Sequence, residues 1–206
     1  GDIERVHLID STPIGANIRS TVATYSGVLD ILRRSFAALP AAKERGLKAG
    51  AFSYNTGSLR CPTCDGTGQI SLDVQFLPEL AKSIDAPETA HDDELSLPEI
   101  LALTVDQLLA LSGNLPSMAV KLRTLSELGL GYLTLGEATP ALSGGEAQRL
   151  KLAGEMHKKQ QGALFVFDEP TIGLHPHDVE VLLRVLQRLI DKGATVIVIE
   201  HDLDMI

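Results

Sequence analysis

Apolar positions in this chain fall into two rhythms. Residues 163–167 and Thr195–Ile199 are short, nearly unbroken apolar runs, the pattern of parallel strands buried on both faces. Between them Val179, Leu182, Leu183, Leu186, Leu189 and Ile190 recur at helical spacing, and Gly193 reads as the helix stop. Strand, helix and strand make a βαβ unit with an expected right-handed crossover. Residues 3–9 predict a further strand, with Val6, Leu8 and Ile9 apolar. Val28, Ile31, Leu32 and Phe36 predict one helical face that stops near Pro40, and residues 41–48 a further short helix. Residues 97–101 open a helix with Pro98 near its start. Thr104 and Gln107 form a capping box for the next, with Val105, Leu108, Leu109 and Leu111 inward. Residues 115–128 predict a third, with Met118, Leu122, Leu125 and Leu128 on one face. The class is α/β.

Chemistry concentrates where the strand-like runs end. Asp168 and Glu169 emerge at the carboxyl end of the first run, where open parallel sheets place their ligands. The first carboxylate suits Mg²⁺, directly or through water. The second suits orienting or deprotonating an attacking water. His201 follows the second run, on a strand expected beside the first. Ser143-Gly144-Gly145-Glu146 has the form of a capping box, Ser143 at the N-cap and Glu146 at the third helical position. Two glycines beside a helix start let a large anion approach, and the exposed amides and dipole there suit a phosphate.

Bulk properties narrow the field. The chain has 206 residues, enough for one large or two small domains, and 44% hydrophobic residues, a globular proportion. A net charge of −9 gives no support to a broad phosphate-binding surface. No apolar run approaches membrane-spanning length and no signal peptide is visible, so a cytoplasmic protein is expected. The chain starts without Met and stops just after Asp202 opens what reads as another helix, so both ends are expected to be cut. Its two cysteines lie in one Cys-x-x-Cys, which is no disulfide scaffold.

That pair, Cys61 and Cys64, is followed by Gly66 and Gly68, the pattern of a zinc knuckle, and Ile70, Leu72, Val74 and Phe76 then alternate as a half-buried strand. A structural zinc takes four protein ligands, so two cysteines are half a site. Either the other half belongs to a segment absent from this sequence, or this chain lacks the metal, or His91 with an acidic neighbour completes a weak site. Retention of both cysteines favours the first. The acidic stretch 86–94 reads as a disordered linker.

Residues 142–148, Leu-Ser-Gly-Gly-Glu-Ala-Gln, resemble the signature motif of the ABC ATPase superfamily. Residues 164–169 resemble its Walker B strand and His201 its switch histidine. The longer wording Leu-Ser-Gly-Gly-Glu-Ala-Gln-Arg-Leu-Lys-Leu-Ala and Asp-Glu-Pro-Thr-Ile-Gly-Leu-His is similar to the UvrA-like family within it, as are residues 19–28 and the cysteine motif. The resemblance implies an ABC-type, P-loop NTPase-like nucleotide-binding domain. No Gly-x-x-x-x-Gly-Lys-Ser/Thr occurs, so the Walker A part is missing. It implies four portions: 1–59, strand and helices around the Q-loop; 60–96, a zinc-hairpin remnant and linker; 97–160, the helical signature subdomain; 161–206, the Walker B and switch-histidine unit.

By resemblance the cofactors are ATP and Mg²⁺, with Zn²⁺ at the incomplete Cys61–Cys64 site. Glu169 and His201 are the implied catalytic residues. Ser143, Gly144, Gly145, Glu146, Gln148 and Asp168 are the implied nucleotide and Mg²⁺ contacts, with Ser11 standing where the family has its Q-loop glutamine. Ser11 either hydrogen-bonds a water near the metal or sits in an ordinary turn. Arg19, Arg33 and Arg34 are candidates for DNA phosphate, the last two also reading as solvated charge. The implied partners are damaged duplex DNA, a UvrB-like subunit, a second copy of the intact protein and the other ATPase domain of the same chain, with no membrane. The implied activity is ATP hydrolysis in nucleotide excision repair. The alternatives are a paralogue serving drug resistance or another DNA transaction, and a non-catalytic binding module.

Overall fold

The structure is a computed structural model, and it describes residues 3–15, 17, 19–59, 95, 97–171, 174 and 176–201. The chain divides into two compact units, Gly1–Ile31 with Leu101–Ile206, and Leu32–Ile100.

The first unit is built on a three-stranded parallel sheet: β1 (Arg5–Ile9), β2 (Ala163–Asp168) and β3 (Thr195–Ile199), with β2 in the centre. Register pairs Ile9 with Phe167 and Asp168 with Ile199, so all three strands end at one edge. Helix α8 (Pro176–Asp191) carries the chain from β2 back to β3 and packs on β3. Its Leu182, Val185, Leu186 and Leu189 are buried. The return is tight: Gly193, at φ 89°, closes the helix and its N–H donates to Ile190 O at 2.8 Å. That backbone conformation is costly for any residue with a Cβ.

The other helices are α1 (Val22–Tyr25), the first turn of α2 (Val28–Ala38), α5 (Val105–Leu111), α6 (Pro116–Leu125) and α7 (Gly144–Glu155). Thr104 caps α5 with the expected box, its hydroxyl accepting from Gln107 N at 3.2 Å while Gln107 Oε1 accepts from Thr104 N at 2.9 Å. Met118, Leu122, Leu125 and Leu128 are buried as one face. The core runs from them through Leu150 and Leu152 of α7 to Phe165 and Phe167 of β2, whose rings stack at 6.2 Å.

Four expectations need correction. Strand β3 is not buried on both faces: Ile197 and Ile199 are 48% and 47% exposed. Val6 and Leu8 of β1 are exposed as well, and the register puts Leu8 and Ile197 on the same sheet face. Leu111, Leu183 and Ile190 also face solvent, because each sits a step off the buried stripe of its helix. Helix α6 ends at Leu125 rather than running to Leu128; a π-turn over Ser126–Leu130 follows, with Gly129 at φ 71°.

The second unit contains the rest of α2, α3 (Pro40–Glu44), a 3₁₀ turn at Ala49–Phe52 and the start of α4 (Leu97–Ala102). Pro40 does not only stop α2; it opens α3 from its first turn, where a missing N–H costs nothing. Phe36 stacks on Phe52 at 5.6 Å, and Arg33 Nε donates to Ala49 O at 3.1 Å. Cys61, Cys64, His91 and residues 70–76 lie outside the described residues.

Candidate functional site

The shared carboxyl edge of the three strands gathers the polar side chains. Asp168 ends β2 with its side chain exposed. Glu169 follows in a left-handed conformation, φ 46°, the single positive-φ residue other than glycine among the described residues. For a residue with a Cβ this costs roughly 1–2 kcal/mol, and the surroundings must hold it. Part of that hold is visible: Glu169 N–H donates to Ile199 O of β3 at 2.8 Å. The turn aims the carboxylate at the residue two beyond β3, and His201 Nε2 lies 3.3 Å from Glu169 Oε1. Both side chains reach solvent, His201 at 82% and Glu169 at 37%. Next to them Thr171 donates its hydroxyl to Glu200 Oε1, tying the turn after β2 to the end of β3.

The second group of expected residues surrounds the start of α7. Ser143 is its N-cap: its hydroxyl accepts from Glu146 N at 3.3 Å, and Glu146 Oε2 accepts from Ser143 N at 2.6 Å. Tyr132 donates its hydroxyl to Glu146 Oε1. Burial pushes the Glu146 carboxyl up, but the hydrogen bonds from Tyr132 and Ser143 outweigh it and hold the group below its ordinary value. The amides of Gly144 and Gly145 are among those that helix geometry leaves without intrahelical partners, and both glycines are half-buried beside the exposed Ser143. Ser11 lies against this start: a Cβ at Gly144 would sit 3.0 Å from Ser11 Cβ and 3.1 Å from Ser11 O, so the glycine lets the loop close in.

That loop is fastened from α7. Lys151 Nζ donates to Asp10 Oδ1 at 2.6 Å, Asp10 O at 3.1 Å and Thr12 Oγ1 at 2.9 Å. The Lys151 hydrogen bond first, and that of Thr12 next, hold the Asp10 carboxyl below its usual value. One turn earlier Gln148, 3% exposed, donates from Nε2 to Ile9 O and to Asp168 O, each at 2.8 Å.

The structure thus brings Asp168, Glu169 and His201 together at one edge, and Ser11 together with Gly144. Among the described residues no hydrogen bond or ion pair joins Ser143–Glu146 to Asp168, Glu169 or His201. Gln148, expected among the nucleotide contacts, is in the interior with its amide nitrogen engaged by main chain. Sequence reading missed Lys151, Asp10, Thr12, Tyr132, Thr171 and Glu200. The one available signal was spacing: Gln148 and Lys151 are three apart and share a helix face.

Among the described residues no group of three or more His, Cys, Asp or Glu side chains is placed to hold a metal. Mg²⁺ does not require one, since it binds through one or two carboxylates together with phosphates and water. The exposed Asp168 carboxylate at a strand end fits that donor set. No helix among the described residues is long and apolar enough to cross a membrane.

These features define an α/β protein with its polar site at the carboxyl edge of a small parallel sheet. No family model matches the chain. It is 46% identical to UvrABC system protein A of Streptococcus pyogenes over 99% of its own length and 23% of that protein's. It is 45% identical to the protein of the same name from Aquifex aeolicus, over 100% of its length and 23% of the relative's. Its structure superposes on the crystal structure of UvrA2 from Deinococcus radiodurans with a TM-score of 0.82 and 42% identity, covering 98% of this chain and 26% of that one. Along its whole length the chain is homologous to a segment of UvrA, and it spans about a quarter of the length of these relatives.

Proposed function

We propose that this chain is the part of a UvrA-like protein that supplies the hydrolytic carboxylates of one ATP site, in an ATPase that recognises damaged DNA during nucleotide excision repair. The observation that carries the reading is the placement of Glu169, directly after Asp168, against His201 at 3.3 Å, just past the ends of two adjacent parallel strands. Asp168 is the residue that would hold Mg²⁺, which would supply neutralisation of charge on bound ATP. Glu169 accepts a proton from, or aligns, the water that attacks the terminal phosphate. His201 fixes the Glu169 carboxylate by contact with Oε1. The start of α7, with Ser143, Gly144, Gly145 and Glu146, offers amides to a phosphate, and Ser11 lies beside it.

Damaged duplex DNA, a UvrB-like subunit and a second copy of the intact protein are its proposed partners, in the cytoplasm. Cys61 and Cys64 are its proposed half of a zinc site. Engagement of Glu169 by His201 favours the catalytic reading over a non-catalytic module, and the 46% identity to a UvrABC protein favours repair over another DNA transaction.

The test uses a UvrA-length protein that carries this segment, with its other ATP site silenced. Glu169→Gln keeps the size of the side chain and removes its basicity. ATP binding is expected to persist while turnover falls by roughly two to four orders of magnitude. Hydrolysis at the unmutated rate refutes the assignment.

A further inference from the structure

Glu169 owes its direction to one peptide group, the one joining it to Asp168. That peptide is gripped on both sides. Its N–H donates to Ile199 O at 2.8 Å, and its carbonyl, the Asp168 O, accepts from Gln148 Nε2 at 2.8 Å. The same nitrogen donates to Ile9 O at 2.8 Å. An amide nitrogen carries two protons, so both are spent on main chain. Ile9 is the last residue of β1 and Asp168 the last of β2. Gln148 therefore bridges two strand ends where the ladder stops, from a site 3% exposed. A left-handed glutamate relaxes unless the peptide before it is fixed. We propose that Gln148 is a positioning residue: it sets the plane of the Asp168–Glu169 peptide and so aims the Glu169 carboxylate at the reacting water. This rests on the catalytic reading of Glu169 above.

The chemistry separates this role from ligand binding and from plain packing. A buried amide whose protons both face carbonyls acts on the backbone, not on a nucleotide. A glutamine that only filled space would be replaceable by an apolar side chain of similar length. Methionine is such a side chain: it keeps the reach and burial and removes the donor. Without the donor, two carbonyls lose a partner and the peptide is held from its N–H side alone.

The experiment uses the UvrA-length protein with its other ATP site silenced, and compares Gln148→Met in the parent and in the Glu169→Gln background. Turnover is expected to fall roughly tenfold to a hundredfold in the parent. KM for ATP and the amount of ATP bound per chain are expected to stay at parental values. In the Glu169→Gln background Gln148→Met is expected to add no further loss, because both act through one group. An equal loss in both backgrounds, a loss of bound ATP that accounts for the loss of turnover, or unchanged turnover overturns the proposal. If Glu169→Gln itself hydrolyses at the parental rate, the catalytic reading fails instead. Should Gln148→Met not fold, Gln148→Glu replaces it. Protonation restores one donor there, so its turnover relative to the parent is expected to rise as pH falls; a pH-independent loss counts against the proposal.

Discussion

Lys151 shows how one side chain can settle a loop. Its ammonium meets three oxygens of Asp10 and Thr12, and the loop through Ser11 is thereby held against α7. The pair is partly shielded, with side-chain exposures of 16% for Lys151 and 23% for Asp10. Asp10 therefore has a folded-state pKa below the ordinary value of 3.8, owing first to Lys151 and then to Thr12. A depressed carboxyl contributes stability above its unfolded value and loses it as pH falls through its folded value. Lys151→Met is expected to lower unfolding free energy by about 1–2 kcal/mol at neutral pH, at the low end for hydrogen bonds to a charged group because the pair is partly exposed to solvent. The difference from the parent should shrink in acid, as Asp10 protonates in both. Urea unfolding of the two proteins at neutral and acidic pH measures this; a deficit constant with pH would show that packing of the lysine stem, not its charge, matters.

At the scale of elements, α7 joins two functions in one helix. Its first turn offers Gly144 and Gly145 at the surface, while its second and third turns send Gln148 and Lys151 to the ends of β1 and β2. The cap fixes where the helix starts, and so which residues face which way. Ser143→Ala removes the acceptor for Glu146 N and is expected to cost about 1 kcal/mol, whereas Ser143→Gly costs only a few tenths. Thermal unfolding of the two variants checks the order; equal losses would place the benefit of Ser143 elsewhere than its hydroxyl.

For the whole molecule, the sheet covered on one face and the missing phosphate loop point the same way. Val6, Leu8, Ile197 and Ile199 remain exposed, and the sequence contains no Gly-x-x-x-x-Gly-Lys-Ser/Thr. One helix start makes few phosphate contacts and a pair of carboxylates meets phosphate only through a cation, so the chain by itself is expected to bind ATP weakly or not at all. Calorimetric titration with ATP and Mg²⁺ measures it, and micromolar affinity would contradict it. The sequence by itself determined the strands at residues 163–167 and Thr195–Ile199, the helix between them, the capping boxes at Thr104 and Ser143, and the presence of Asp168, Glu169 and His201 at strand ends. These are local matters, set by apolar period, cap chemistry and chain order. Tertiary structure alone decided that β3 is open to solvent, because burial depends on which layers cover a strand and not on its composition. It alone turned Glu169 to φ 46°, placed His201 on it and sent Gln148 inward. Those outcomes need hydrogen bonds between residues 20 and 139 positions apart, and no local pattern of residues encodes a partner at that distance.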